Sequence, residues 1–177
     1  MKIVISGAHF TGKTTLVDEL SRSLSDYTAL EEPYYLLEEE GHEFSGFPSV
    51  EDYERQLEYS IEQILDSEQG TIFDRCPLDF LAYINVHKDS SSFDLDRWSK
   101  KVQEAMKQLD VFVITPIEKP DLLTCPHSEY PELRQKVNRE LQNLVYDSES
   151  SSTFKVLEVN GTIESRLNQV LTFIKSI

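Results

Sequence analysis

The residues from Gly7 to Thr14 carry the clearest chemistry in the sequence. They read GAHFTGKT and match the pattern G-x-x-x-x-G-K-[ST] in full. In this pattern the glycines let backbone N–H groups turn inward around phosphate oxygens, and the following helix directs its positive dipole end at them. Lys13 is expected to reach the β- and γ-phosphates, and the Thr14 hydroxyl is expected to ligate Mg²⁺. The motif therefore predicts a nucleotide site.

The other positions of this loop are expected to lie around the same phosphates. The residues expected to bind the nucleotide are Gly7, His9, Phe10, Thr11, Gly12, Lys13, Thr14 and Thr15. For His9, contact with a substrate and simple exposure in a surface loop both remain open. For the whole motif, the alternative is a glycine-rich turn between a strand and a helix, with an incidental lysine.

A second charged group follows the apolar run at 71–73. In folds with a phosphate loop, a carboxylate at the end of a neighbouring strand holds the metal, often through water. Asp74 occupies that place, so Thr14 and Asp74 are the predicted metal ligands. The next residue is Arg75 rather than a glutamate, which suits a grip on phosphate or acceptor better than polarisation of water. An ordinary salt bridge at the strand end is the alternative.

A third candidate follows the second predicted strand, where the sequence reads Glu31-Glu32-Pro33. In an open α/β sheet, the carboxyl ends of the strands face the ligand crevice. A carboxylate at that edge can accept a proton from a hydroxyl group. Glu32 is therefore the candidate base, and a solvated loop glutamate is the alternative.

The elements that must position these residues alternate along the chain. Short apolar runs predict five strands, at 2–6, 27–30, 71–73, 111–115 and 154–159. Helical spacing of apolar residues predicts six helices, at 13–24, 49–68, 77–86, 94–109, 132–146 and 162–177. Breakers and polar runs predict irregular segments, at 31–47, 87–93, 116–131 and 147–153. The alternation predicts one α/β domain over 1–177, with a parallel sheet and helices on both faces.

Composition excludes several kinds of partner. The 177 residues include 17 Lys and Arg against 32 Asp and Glu, which gives a formal charge of −15. Duplex nucleic acid and anionic membrane surfaces both need a cationic footprint, so neither is expected as a partner. No apolar run approaches the length of a membrane span, and the two cysteines form no CxxC pair. We therefore expect a cytoplasmic protein that is a monomer or a homodimer.

The negative charge is concentrated in one stretch. Residues 31–69 contain thirteen Asp and Glu and one basic residue, Arg55. A solvated helix face accounts for much of this charge. Acidic residues at 31–40 would nevertheless flank the acceptor, repel a phosphorylated one and favour a neutral or cationic one. Aromatic side chains in the same stretch could stack on a ring or simply pack the loop: Tyr34, Tyr35, Phe44 and Phe47.

Together these motifs resemble those of P-loop nucleoside and nucleotide kinases. The phosphate loop, the Glu32-Pro33 pair and the Asp74-Arg75-Cys76 triplet occur in the order seen in deoxynucleoside kinases, which have serine in place of Cys76. The stretch 74–83 also resembles small bacterial P-loop proteins related to nicotinamide riboside kinase. Residues 156–161 resemble the last strand and turn of thymidylate-kinase-like folds. Of these motifs, only the phosphate loop is highly specific.

The resemblance implies a P-loop NTPase fold with strand order 2-3-1-4-5, a lid region at about 116–140, and Mg-ATP as donor. It also implies lid arginines that neutralise the transferred phosphoryl group. Residues 116–131 contain only Lys119 among lysines and arginines. Arg134 and Arg139, on the next predicted helix, are therefore the candidates for this role; otherwise the lid is catalytically weak. The resemblance also loosely suggests Gln56 as a residue that reads the base.

Two functions follow from these features. The leading one is an ATP- and Mg²⁺-dependent phosphotransferase acting on a small hydroxylic acceptor, most simply a nucleoside-like compound. The alternative is a nucleotide-binding or slowly hydrolysing P-loop ATPase with a regulatory role. A GTPase switch is disfavoured because no Asn-Lys-x-Asp motif is present. An AAA+ motor is disfavoured because the chain is short and no glutamate follows Asp74.

Overall fold

A parallel sheet of five strands forms the centre of the computed structural model, which describes residues 1–149 and 154–177. The strands are β1 (Lys2–Ser6), β2 (Thr28–Leu30), β3 (Thr71–Asp74), β4 (Val111–Ile114) and β5 (Lys155–Glu158). They lie in the order β2-β3-β1-β4-β5, and every adjacent pair is parallel. The predicted fold class and strand order are confirmed. The carboxyl ends of β1 and β3 are neighbours, which brings the phosphate loop next to Asp74.

Helices cover both faces of this sheet, as predicted. They are α1 (Lys13–Ser23), α2 (Pro33–Glu39), α3 (Val50–Asp66), α4 (Pro77–Val86), α5 (Leu95–Met106), α6 (Pro131–Glu149) and α7 (Ile163–Lys175). Because side chains alternate along a strand, Val4 packs with α3 to α6, whereas Ile3 and Ile5 pack with α1 and α7. None of the helices in the described part of the chain is long and apolar enough to cross a membrane.

The structure corrects two element predictions. Residues 33–39 were predicted to be irregular but form α2, with Pro33 in the first turn, where a missing N–H costs no hydrogen bond. The side chain of Leu37 anchors this short helix by burial. The predicted turn at 147–153 was also wrong in part, because α6 continues to Glu149. The rest of that predicted turn, 150–153, lies outside the described residues.

Candidate active site

The phosphate loop connects β1 to α1. A different geometric constraint requires glycine at each of its two motif positions, Gly7 and Gly12. A Cβ atom at Gly7 would lie 2.4 Å from the hydroxyl oxygen of Thr115 and 2.6 Å from its carbonyl oxygen. The loop therefore packs too closely against the end of β4 to allow a side chain there. Gly12 has a φ of +82°, in the left-handed region that favours glycine. Thr11, between them, is buried and bonds both Ala8 and Thr115.

Lys13 lies within the curve of this loop. Its side chain is buried, and its Nζ donates a hydrogen bond to the carbonyl oxygen of Ala8 at 2.9 Å. Burial, and to a smaller extent the positive charge of Arg75, lowers the pKa of Lys13 to about 8. The ammonium group is therefore mostly protonated at pH 7 but poorly compensated, and an anion at the loop would compensate it.

Thr14 and Asp74 meet as the metal prediction requires. The Thr14 hydroxyl donates to Oδ2 of Asp74 at 2.6 Å. The other oxygen, Oδ1, is buried and has no hydrogen-bond partner among the described residues. Burial raises the pKa of Asp74, and the charge of Lys13 partly opposes that shift.

These two oxygen-bearing side chains fit a magnesium ion. Mg²⁺ takes oxygen ligands, keeps several waters, and is held by one or two protein groups together with substrate phosphates. The described residues contain no cluster of three or more His, Cys, Asp or Glu that could hold a metal alone. A site that relies on Thr14, Asp74, water and phosphate is consistent with both observations.

Arg75 links the phosphate loop to the predicted base. Its Nη1 donates to the carbonyl oxygen of Gly7 at 3.0 Å, and its Nε donates to Oε1 of Glu32 at 2.5 Å. The guanidinium is buried, and Glu32 is the main cause of its raised pKa, although burial acts against it. Arg75 also has a φ of +77°, a conformation that costs a non-glycine residue about 1–3 kcal/mol and is concentrated at functional sites.

Sequence reasoning missed Asp79, which organises this edge of the sheet. Its carboxylate is fully buried and accepts hydrogen bonds from the Ser6 hydroxyl at 2.7 Å, the Gly7 N–H at 3.1 Å and the Cys76 N–H at 3.0 Å. It therefore ties the end of β1 and the start of the loop to the N-terminus of α4. The only sequence signal was its place three residues after Cys76, the spacing of a capping box.

A cavity of about 370 Å³ adjoins the loop on the side of Glu32. A volume in this range suits a small-molecule ligand. Its lining residues are His9, Glu32, Tyr34, Gly46, Phe47, Pro48, Tyr53, Gln56, Arg75, Phe80, Tyr83, Ser128, Glu129, Tyr130 and Leu133. The cavity therefore contains the predicted base, several aromatic rings and one cation that is already paired.

Two aromatic pairs shape this cavity. Phe47 and Tyr130 meet edge to face with ring centres 4.9 Å apart, and Tyr53 stacks on Tyr83 at 4.9 Å. Of the predicted stacking residues, Tyr34 and Phe47 line the cavity, whereas Tyr35 and Phe44 are not among its lining residues. Gln56 lines it too, with its amide nitrogen donating to the backbone of Asp52 at 3.1 Å.

His9 stands between the loop and this cavity. Its backbone N–H donates to the Tyr83 hydroxyl at 3.1 Å, and its ring nitrogens lie 2.8 Å from that hydroxyl and 2.8 Å from the Glu129 carbonyl oxygen. Burial lowers the pKa of His9 to about 4, so the imidazole is neutral at pH 7. Phe10 and Thr15 are exposed at the outer side of the same loop and the start of α1.

The structure separates the two arginines predicted to serve the lid. Arg134 is buried against the loop, where Nε donates to the His9 carbonyl at 2.9 Å and Nη2 donates to the Phe10 carbonyl at 2.7 Å. Arg139 is exposed beside a separate cleft that Lys119 also lines. Of the two predicted lid arginines, Arg134 contacts the phosphate loop and Arg139 does not.

A further arginine, Arg166 of α7, also reaches the loop and was missed. It is buried, with Nη1 donating to the Thr11 carbonyl at 2.5 Å and Nε donating to the Gly161 carbonyl at 3.0 Å. Nothing in the local pattern of α7 marks this residue, because its partner on the loop is distant in the sequence. Its contact depends on β5 lying next to β4.

Comparison with known proteins supports the fold. Residues 2–166 match the model of a family described as an AAA domain. A comparison with curated proteins gives no significant match. The fold resembles deoxyadenosine kinase from M. mycoides with bound dCMP and dCDP, at a TM-score of 0.71 and 17% identity over 99% of both chains.

Two further solved structures share the fold. The NadR protein in complex with NR gives a TM-score of 0.72 at 21% identity. The aligned region includes 99% of this chain and 48% of the NadR chain. Thymidylate kinase from Candida albicans gives a TM-score of 0.64 at 18% identity. That alignment includes 99% of this chain and 91% of the thymidylate kinase chain. The chain thus spans about half of the NadR chain and nearly all of the two kinases. These likenesses confirm the predicted P-loop NTPase fold.

Proposed function

The chain belongs to the AAA domain family, and we propose that it is an ATP- and Mg²⁺-dependent phosphotransferase with a small, nucleoside-like hydroxyl compound as acceptor. One observation carries the proposal: Arg75 bonds both the Gly7 carbonyl of the phosphate loop and Glu32, which lines the adjoining cavity. The donor loop and the acceptor cavity therefore share an ion pair whose arginine is buried and whose glutamate is partly buried. A protein that only hydrolyses ATP has no need of a ring-sized, aromatic cavity at this place.

On the donor side, the loop residues 7–15 surround the triphosphate. Mg²⁺, when bound, would neutralise the negative charge that develops on the transferred phosphoryl group. Thr14 and Asp74 would hold the ion, because Oδ1 of Asp74 has no hydrogen-bond partner among the described residues and is available as a ligand. Lys13 gives up its hydrogen bond to the Ala8 carbonyl and donates to the phosphates instead. The negative charge of the phosphates then compensates its buried positive charge.

On the acceptor side, Glu32 takes the proton of the attacking hydroxyl. Arg75 fixes Oε1 of that carboxylate, and Oε2 has no hydrogen-bond partner among the described residues. One oxygen is thus oriented while the other remains available to the acceptor. Arg75 acts by holding the base rather than by free contact with phosphate. The aromatic pairs of the cavity hold the ring of the acceptor.

We further propose that 1–177 works as one unit with a lid region at about 116–140. Arg134 holds the loop carbonyls while paired with Asp121, whereas Arg139 is exposed beside a separate cleft and does not share that role. The segment 116–131 contains no lysine or arginine besides Lys119, and this scarcity favours the alternative function, a nucleotide-binding or slowly hydrolysing P-loop ATPase with a regulatory role. The two functions differ in whether turnover needs an acceptor.

The first prediction tests this difference by ADP release from Mg-ATP. We expect release to depend on the acceptor, with nucleosides better acceptors than their monophosphates by about ten-fold or more in kcat/KM. Among the described lining residues Glu32 and Glu129 are acidic and the cation Arg75 is already paired, so the phosphate of a monophosphate acceptor would meet negative potential. Salt at about 0.1 M shortens the screening length to about 10 Å. It should therefore reduce the difference in kcat/KM between nucleosides and their monophosphates.

Release at the same rate with and without any acceptor would favour the ATPase alternative. Preference for a nucleoside monophosphate would instead move the assignment toward nucleotide kinases. A panel of purine, pyrimidine and pyridine nucleosides, each with its monophosphate, separates these outcomes.

The second prediction concerns the metal. Asp74→Asn should raise the Mg²⁺ concentration needed for half-maximal turnover by about 10- to 100-fold, as is common when a group supporting a bound metal is lost. The amide keeps the hydrogen bond from Thr14 but removes the charge that holds the ion. Asp96→Asn, an exposed aspartate on α5, is the matched control for net charge. An Mg²⁺ titration of the Asp74 variant that overlays the wild-type curve would remove this residue from the metal site.

A further inference from the structure

Two buried arginines donate hydrogen bonds to backbone carbonyls of the phosphate loop. Arg134 of α6 donates to the carbonyls of His9 and Phe10, at 2.9 and 2.7 Å. Arg166 of α7 donates to the carbonyl of Thr11 at 2.5 Å. Three consecutive carbonyl groups of the loop are therefore each held by a guanidinium N–H.

Holding these carbonyls determines where the next N–H groups point. In a trans peptide the C=O of one residue and the N–H of the next are antiparallel in one plane. Carbonyls 9, 10 and 11 that face the arginines turn the N–H groups of Phe10, Thr11 and Gly12 toward the opposite side. Successive N–H groups facing one side form a concave anion site, which is what phosphate needs.

Each arginine is in turn held by a carboxylate from the segment after β4. Asp121 accepts from Nη2 of Arg134 at 3.1 Å, with a second contact to Nη1. Glu118 accepts from Nη2 of Arg166 at 2.6 Å and from the Gly161 N–H at 2.9 Å. The arginines are almost fully buried, so these partners supply the charge compensation that a buried guanidinium requires.

We propose that Arg134 and Arg166 are positioning residues that shape the phosphate loop for the donor, and that Glu118 and Asp121 couple this shape to the segment 116–126. The inference rests on the proposed function, since it assumes that the loop binds a triphosphate. It assigns a donor-side role to Arg166. It also gives the segment 116–126, which contains no arginine, a way to influence the phosphates: its carboxylates act through arginines of α6 and α7.

The test compares Arg166→Lys with wild type in the binding of a non-hydrolysable Mg-ATP analogue and of AMP. Lysine keeps the charge but cannot donate to Thr11, Gly161 and Glu118 in the same fork geometry. We expect the affinity for the analogue to fall about 10- to 100-fold, because losing one well-formed hydrogen bond to a charged phosphate has an effect of about this size. AMP, which lacks the β- and γ-phosphates, should lose little.

Glu118→Gln tests the coupling without altering either arginine. Glu118→Gln should also lower the affinity for the Mg-ATP analogue, but by less than Arg166→Lys does. Amide resonances of Phe10, Thr11 and Gly12 in ¹⁵N–¹H spectra report loop geometry directly, and those of Thr11 and Gly12 should move in both variants before any ligand is added. Arg97→Lys and Glu104→Gln on α5 are the matched controls, since both residues are exposed and distant in the fold.

A purely structural role gives a different pattern. It would lower the melting temperature of Arg166→Lys while the ratio of analogue to AMP affinity and the loop amide shifts stayed at their wild-type values. That result would overturn the inference and leave the proposed function standing. If wild type bound no Mg-ATP analogue, the proposed function and the inference would both be overturned.

Discussion

Lys13→Ala is expected to lower phosphoryl transfer by about 10³-fold, at the upper end of what loss of one preorganised donor in a catalytic site costs. The reason is that Lys13 brings a buried positive charge into the curve of the phosphate loop, where the Ala8 carbonyl is its one hydrogen-bond partner among the described residues. Stability should not fall with activity. Burial lowers the pKa of this lysine to about 8, below its value in an unfolded chain, so the fold disfavours the charged form and loses little when it is removed.

Turnover under saturating Mg-ATP and the melting temperature are measured on the same preparation. Lys136→Ala, an exposed lysine on α6, is the control for loss of one positive charge. The wild-type protein offers a second readout: bound phosphate favours the protonated lysine, so donor affinity should fall as pH rises above about 8. Equal turnover in Lys13→Ala, with the fold intact, would remove the donor role from the loop motif.

The parts of the site that could be predicted from the sequence depend on short-range patterns. The phosphate loop is a contiguous motif, and Asp74 and Glu32 were found because each follows an apolar run. Parallel strands then place their carboxyl ends on one edge of the sheet. For the same reason the strand positions were predicted well, since β1, β3 and β4 are continuous buried runs.

The parts that were missed depend on contacts between distant segments. Arg166 meets Thr11 across 155 positions of sequence, and Asp79 meets Ser6 across 73. In each case the local pattern is that of an ordinary helix, and only the assembled sheet shows which side chain faces the loop. The helix α2 was missed for a different reason: nearby glycines and prolines suggested a loop, but they lie at its boundaries.

The spacing of the two predicted lid arginines, Arg134 and Arg139, shows what a helical pattern can and cannot predict. Arg134 and Arg139 are five residues apart, so they point about 140° away from each other around a helix of 3.6 residues per turn. One helix face cannot present both to the same loop. The spacing alone could therefore have reduced the pair to one candidate, and the choice of Arg134 needed the packing of α6 against the loop.

The second large effect is expected for Glu32→Gln, which should lower turnover by about 10²- to 10⁴-fold, the usual contribution of a general base. Glutamine keeps the shape of the side chain and can still accept the hydrogen bond from Arg75 Nε through its amide oxygen. The acceptor cavity and the donor loop should therefore keep their geometry, and affinity for an Mg-ATP analogue should change little. What is lost is the carboxylate oxygen Oε2 as a proton acceptor.

The position of Glu32 allows a close control. Its neighbour Glu31 is exposed and is not among the residues that line the acceptor cavity, so Glu31→Gln removes the same charge one residue away. Initial rates at varied acceptor then separate the roles of Glu32. A fall in kcat with an unchanged KM for the acceptor supports a base that acts as the hydroxyl attacks. A rise in KM alone would reduce Glu32 to a binding residue, and a rate like that of Glu31→Gln would leave its carboxylate as only the partner that holds Arg75 in the fold.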